Sequence, residues 1–243
     1  MAGIKLAILD KDGTLLDSSP ATLQAHIQTL SVVASDEETT RLINNTLGYS
    51  ADRQYAIIRT AKERKLPVED IIGHETEYAE DIARLRNDAE TLQLLDNFWE
   101  IVKKIPALPF SDTEEALRLL KNARFSLGIF TGYRSDIAEA QLEKSRLIKY
   151  FDKDLIFGHN PPIVKGDPHI QELIRRRELT NAQLRQVYMI GDGVGEMETA
   201  KKYGMIAYGI DRTGTEEQLR SAGAIKVFPN LIECAHYIIK RSK

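Results

Sequence analysis

Along the second half of the chain, short apolar runs alternate with stretches of helical spacing. Residues 125–130, 155–157, 186–190, 206–210 and 225–228 are short, mostly apolar runs, so both faces of each extended segment would be buried. One more such run, 4–9, stands alone near the N-terminus. Strands buried on both faces and separated by helices predict βαβ units, and hence an α/β fold built on a doubly wound parallel sheet. Helix-start signals agree. Ser111-Asp112-Thr113-Glu114 and Thr180-Asn181-Ala182-Gln183 have capping-box spacing, and Ser19-Pro20 sets a cap residue before a first-turn proline.

Between residues 18 and 106 the pattern changes. No run reads as a strand, whereas 42–47, 55–63 and 78–102 carry apolar residues at helical spacing among many charges. The reading is an all-helical insertion, 18–106, in an α/β core made of 1–17 and 107–243. Proline- and serine-rich boundaries, Asp17-Ser18-Ser19-Pro20 and Pro106-Ala107-Leu108-Pro109, mark its ends.

Composition narrows the class. A net charge of −3 offers no basic surface for nucleic acid, and Arg175-Arg176-Arg177 reads as a solvated helix face. The single cysteine, Cys234, rules out a disulfide framework and sits among apolar residues as buried filler. No run reaches the ~20 apolar residues of a membrane span, and 4–9 is too short for a signal peptide. The expected location is the cytoplasm. His26, His74 and His159 have no metal-ligand spacing and read as core or surface residues.

The chemistry concentrates at strand ends. Leu9-Asp10-Lys11-Asp12-Gly13-Thr14 closes an apolar strand with two carboxylates two residues apart, where ligands bind in parallel sheets. Two adjacent carboxylates repel unless a cation lies between them, and a hard ion such as Mg²⁺ suits them. The bland alternative is a tight Asp-Gly turn. Three later sites also follow candidate strands: Thr131-Gly132, the lone Lys165, and Gly191-Asp192-Gly193-Val194-Gly195-Glu196. Together they supply a nucleophile, a proton donor, a hydroxyl, a cation and metal ligands.

In this order the four sites resemble the four motifs of the haloacid dehalogenase-like phosphatase superfamily, over the whole chain. The insertion resembles that family's helical cap, as in phosphoglycolate phosphatase and β-phosphoglucomutase relatives. The resemblance implies that Asp10 attacks phosphorus and becomes an aspartyl-phosphate, while Asp12 protonates the leaving oxygen and then activates water. It implies that Thr131 and Lys165 hold phosphoryl oxygens. Asp10, the Asp12 carbonyl and Asp192 would bind Mg²⁺, with Glu196 on a metal-bound water or orienting Lys165. Two positions depart from the pattern: Glu196 replaces the usual aspartate, and Gly166 replaces the proline after the lysine. Asp12 favours a phosphatase or phosphomutase over a dehalogenase, whose halide leaves unprotonated.

The resemblance also makes Leu47-Gly48-Tyr49-Ser50-Ala51-Asp52-Arg53 a substrate-contacting cap loop. Gly48 would turn the backbone, Gly132 would border the phosphate site, and Arg53 would bind a second anion of the substrate. The expected function is hydrolysis of a small phosphate monoester of the phosphoglycolate or sugar-phosphate type. The rivals are a β-phosphoglucomutase-type mutase and a non-catalytic binding protein on the same fold. No nucleic-acid or membrane partner is expected, and homodimer and monomer both stay open.

Overall fold

The structure, a computed structural model, describes residues 4–46, 49–160 and 165–242. Its strands, in chain order, are β1 (Leu6–Asp10), β2 (Leu16–Asp17), β3 (Leu108–Pro109), β4 (Ser126–Phe130), β5 (Ile156–Phe157), β6 (Tyr188–Gly191), β7 (Ile206–Ile210) and β8 (Lys226–Phe228). The chain divides into two compact units, Ser19–Pro106 and the pair Met1–Ser18 with Ala107–Lys243.

The second of these units holds a six-stranded sheet of order β5-β4-β1-β6-β7-β8, every pairing parallel. Strand β1 has all five residues buried because both its faces are covered. Ala7 and Leu9 join a cluster containing Leu117 and Leu120 of helix 113–122, and Leu142, Cys234 and Ile238. Leu6 and Ile8 point the other way, into a cluster with Ile170, Leu173, Met197 and Leu219. That two-sided burial is what erased the in–out alternation from the sequence. The doubly wound parallel sheet is therefore present, and β1 lies where the strand order reverses, the usual ligand crevice of such folds.

The other unit is helical: α1 (Ser19–Leu30), α2 (Asp36–Asn45), α3 (Ala51–Arg64), α4 (Val68–Gly73), α5 (Ala79–Arg86) and α6 (Ala89–Lys104). The helical pattern read across 78–102 is broken at Asn87-Asp88, where Asp88 caps α6 through a bond from Thr91 N. A capping box at Ser35 and Glu38, not singled out in the sequence, starts α2. His26 is buried, stacked on Phe98 with centroids 4.4 Å apart, and its Nδ1 lies 3.0 Å from the Tyr55 hydroxyl.

The remaining helices belong to the α/β unit: α7 (Thr113–Asn122), α8 (Ser135–Lys144), α9 (Asp167–Arg177), α10 (Asn181–Leu184), α11 (Val194–Tyr203), α12 (Glu216–Ala222) and α13 (Leu231–Arg241). The Thr180 capping box forms as expected. The Ser111 box does not. Asp112, not Ser111, precedes α7, with helical backbone angles and no capping bond, because its carboxylate is engaged elsewhere. The sequence reading also missed a two-stranded antiparallel ladder, Leu16↔Pro109 and Asp17↔Leu108, at the two points where the chain leaves and re-enters this unit. Arg175, Arg176 and Arg177 close α9 and are ion-paired with Glu172, Asp152 and Asp154.

Candidate active site

Register places the chemistry. Asp10 is the last residue of β1 and pairs with Phe130, so Thr131 emerges beside it. On the other side Leu9 pairs with Ile190, so Gly191 and Asp192 follow at the same level. Lys165 comes from the segment before α9, behind β5. Four separate strand ends thus deliver Asp10, Asp12, Thr131, Lys165 and Asp192 to one edge of the sheet.

Asp10 is 3% exposed. Its Oδ1 accepts a hydrogen bond of 2.7 Å from Lys165 Nζ, which also contacts Glu196 Oε1. Glu196 is buried in the first turn of α11. Gly166 stands at the head of α9 with φ 119°, a backbone state that suits glycine and not proline. This is the physical reason for the departure after Lys165: the turn that presents the lysine needs a residue without a side chain. Gly132 lies near the lysine stem, since a Cβ added there would be 3.8 Å from Lys165 Cδ.

Asp12 is held from several directions. Its Oδ1 contacts the ammonium of Lys11, its Oδ2 accepts from Thr131 Oγ1 at 3.1 Å, and Ser18 bonds to it as well. Lys11 is fully buried, donates to Gln141 Oε1 at 2.7 Å and lies 4.1 Å from the Tyr133 ring centroid. Gly13, at φ 81°, makes room for a carboxylate: a Cβ there would overlap Asp192 Oδ2. Thr14, also buried, donates to Asp192 Oδ1 at 2.7 Å.

The electrostatics sort the carboxylates. Burial pushes the Asp10 carboxyl well above its ordinary range; Lys165 opposes this, and Glu196, Asp12 and Asp192 reinforce it. Burial likewise raises Asp192, against the Thr14 hydrogen bond. Asp12 moves down: burial works against ionisation, but the Lys11 charge and bonds from Lys11 and Ser18 outweigh it. Desolvation disfavours the Lys165 ammonium, yet Asp10 and Glu196 hold it protonated well above the usual lysine range.

Asp10 and Asp192 therefore form a negative pair that lacks full compensation, made of hard oxygen donors beside the cradle at Gly13. Among the described residues no three His, Cys, Asp or Glu side chains converge as metal ligands. That is compatible with Mg²⁺, which keeps several waters and takes only one or two carboxylates. The residues fit such an ion. Glu196, grouped with the metal ligands in the sequence reading, has its carboxylate on Lys165.

The residues missed from the sequence are Lys11, Gln141, Tyr133, Ser18 and Thr14. A lysine between two aspartates gives no signal of burial, and its partners lie up to 130 positions away. The expected cap residues belong to the stretch 19–106, the helical unit. Gly48, like Leu47, lies outside the described residues, as do Pro162, Ile163 and Val164 before Lys165. In the helical unit Arg53 Nη2 and Nε bond Glu75 Oε2 at 2.5 and 3.1 Å, and its guanidinium is 4.0 Å from the Tyr49 ring centroid. With Glu75, Thr76 and Arg86 it lines a pocket of about 260 Å³ within that unit. Cys234 is buried, and burial raises its thiol. His74 is exposed and His159 partly so. No helix among the described residues is long and apolar enough to cross a membrane.

Comparison with known proteins agrees with this architecture. Residues 4–204 match the family described as haloacid dehalogenase-like hydrolase. A Dickeya dadantii protein named "Probable phosphatase IndB" is 28% identical over 242 residues, covering 98% of this chain and 96% of its own. A Vibrio cholerae protein named phosphoglycolate phosphatase is 27% identical over 210 residues, covering 86% and 85%. Among solved structures, a haloacid dehalogenase-like family hydrolase from Streptococcus pneumoniae has a TM-score of 0.68 at 19% identity, covering 98% of this chain and 99% of its own.

Proposed function

The chain belongs to the haloacid dehalogenase-like hydrolase family, and from that premise we propose that it is a Mg²⁺-dependent phosphatase acting on a small phosphate monoester through an aspartyl-phosphate on Asp10. The observation that carries this reading is the Asp10–Lys165 contact of 2.7 Å at the sheet edge to which Asp12, Thr131 and Asp192 are also delivered. Phosphoryl transfer asks a protein mainly for positioning and charge neutralisation, and these five side chains supply both.

The ionised form of Asp10, which Lys165 favours against burial, attacks phosphorus, and the ester oxygen departs. Lys165, with one N–H left beyond those on Asp10 and Glu196, turns it to a phosphoryl oxygen, and Glu196 fixes its direction. Thr131 donates to Asp12 in the resting site. When a phosphoryl oxygen takes that hydroxyl proton as its hydrogen-bond partner, Asp12 Oδ2 becomes available. Asp12 takes up there the proton that a monoprotonated ester brings, passes it to the leaving oxygen, and accepts one from the attacking water in the second step. A Mg²⁺ ion held by Asp10, Asp192 and the Asp12 carbonyl would neutralise charge on the transferring group.

The Vibrio cholerae relative named for phosphoglycolate supports a substrate with a second anion, and Arg53 in the helical unit is a candidate to receive it. That unit would serve as the cap. A cytoplasmic enzyme, monomeric or homodimeric, fits the single buried cysteine.

The test is a screen of phosphate esters with purified protein and Mg²⁺, with Asp10→Asn as control and borohydride used to trap the acyl phosphate. Expected are hydrolysis by the wild type, none by Asp10→Asn, and reduction of Asp10 to homoserine during turnover. Undiminished turnover by Asp10→Asn, free of contaminating phosphatase, would overturn the covalent route.

A further inference from the structure

Arg212 lies just beyond β7, and its Nη2 grips two distant parts of the α/β unit. One bond runs to the Thr14 carbonyl at 2.9 Å. The other runs to Asp112, at 3.0 and 3.1 Å from its two oxygens. The guanidinium lies 3.8 Å from the Phe110 ring centroid, and the side chain is only 15% exposed. Asp112 is itself anchored: its Oδ2 accepts from Leu231 N, the first amide of α13, at 2.6 Å. The far end of the link matters more. Thr14 carries on its side chain the hydroxyl that donates to Asp192 Oδ1 at 2.7 Å. A continuous line of contacts thus runs Asp112–Arg212–Thr14–Asp192, from two helix starts to the edge of the site.

We propose that Arg212 is a positioning residue for the divalent-cation site. It fixes the Thr14 peptide, so that the Thr14 hydroxyl engages one oxygen of Asp192 and leaves the other turned to the ion. The inference rests on the reading of Asp10 and Asp192 as Mg²⁺ ligands given above.

The Thr14 hydroxyl donates to Asp192 Oδ1 at 2.7 Å, so the orientation of that carboxylate depends on where Thr14 stands. The loop bearing Thr14 is pinned next to it as well, Leu15 O accepting from Phe110 N at 3.1 Å and Thr113 Oγ1 at 2.8 Å. Those bonds fix the following peptide, and Arg212 holds the Thr14 carbonyl itself. Finally, a planar guanidinium seated on an aromatic ring is pre-organised to serve two acceptors at once, which a lysine ammonium does less well. Groups that orient a metal ligand from behind typically govern metal affinity by about ten- to a hundredfold.

The experiment is calorimetric titration of Mg²⁺ alone into the substrate-free full-length protein, for the wild type, Arg212→Gln, Arg212→Lys and Thr14→Val. Thermal midpoints in EDTA are recorded alongside. Arg212→Gln is expected to weaken Mg²⁺ binding about tenfold. Arg212→Lys, the milder change that keeps a charge on Asp112, should weaken it severalfold and keeps the test readable if Arg212→Gln does not accumulate. Thr14→Val should weaken it at least as much, and Arg212→Gln added to Thr14→Val should add little, because both act on one link. Mg²⁺ affinity within twofold of wild type in the Arg212 variants, whatever happens to their thermal midpoints, would overturn the proposal. Absence of Mg²⁺ binding by the wild type would instead strike the functional reading beneath it.

Discussion

The ammonium of Lys11, with no side-chain exposure at all, is paired with the carboxylate of Asp12, which keeps 26% of its own. The two halves of this pair are not equivalent. Removing the carboxylate strands a fully buried cation, whereas removing the cation leaves a carboxylate that water can still reach. Asp12→Asn should therefore destabilise the protein more than Lys11→Met, with the first approaching the ~3–5 kcal/mol typical of breaking a buried pair. The double variant should recover part of the loss. Urea unfolding in EDTA measures this; equal losses for the two single variants would contradict the asymmetry.

Asp192 poses the opposite case. Its carboxyl is raised by burial, so the ionised form works against the fold at neutral pH, and that cost is relieved as pH falls through the folded value. An asparagine in its place would retain an acceptor for the Thr14 hydroxyl without the charge. Asp192→Asn should thus raise the thermal midpoint of metal-free protein at pH 7, and Mg²⁺ should no longer raise it further. A lower midpoint in EDTA would mean that the charge is better solvated than its surroundings suggest.

His169 and His26 are both held down to about 4, each by burial. His169 Nε2 lies 3.0 Å from Gly158 O, while its Nδ1 is buried without a partner, so a second proton has nowhere to bond. A lowered folded value means stability that is complete above the unfolded value of ~6.5 and drains away as pH falls toward 4, by at most on the order of 3 kcal/mol per histidine. Unfolding free energy measured from pH 7 to 4.5 should fall, and His169→Gln should reduce the slope. An unchanged slope in that variant would remove His169 from the account.

Arg53 Nε and Nη2 are bonded to Glu75, so that carboxylate competes with a second substrate anion for the guanidinium charge. Arg53→Ala should cost about ten- to a hundredfold in kcat/KM on a substrate with a second anion. It should leave p-nitrophenyl phosphate nearly untouched. Glu75→Gln, which weakens the competing grip, should improve KM for the substrate that carries the second anion. Equal losses on both substrates for Arg53→Ala would assign the arginine to the support of its own helices.

How much of this could be read from the chain depended on the length scale of the signal. The central strands were legible because residues such as Ala7, Ile8 and Leu9 are buried on alternate faces, which leaves an unbroken apolar run. Asp10, Thr131, Lys165 and Asp192 were legible because each follows such a run. Lys11 was not, since nothing local distinguishes a buried lysine from a solvated one. Arg212 was not, since its partner Thr14 lies 198 positions away. Ser111 misled for a related reason: Asp112 beside it is committed to Arg212 and Leu231, contacts that no local pattern contains. The ladder of β2 and β3 is too short to carry any periodicity.

That short ladder has a bearing on modularity. Leu16 pairs with Pro109 and Asp17 with Leu108, so the chain exits the α/β unit and re-enters it on adjacent strands, ~5 Å apart. To the sheet, everything from residue 18 to 107 is a surface excursion whose two ends are already tied together. Closing so small a gap takes only a turn, and loop entropy grows slowly with length. The parent sheet is thereby indifferent to what is spliced between these strands: a hairpin turn, this helical insert or a larger domain would meet the same docking points. Diversification of the insert can proceed by wholesale replacement, with the sheet and its strand ends left undisturbed.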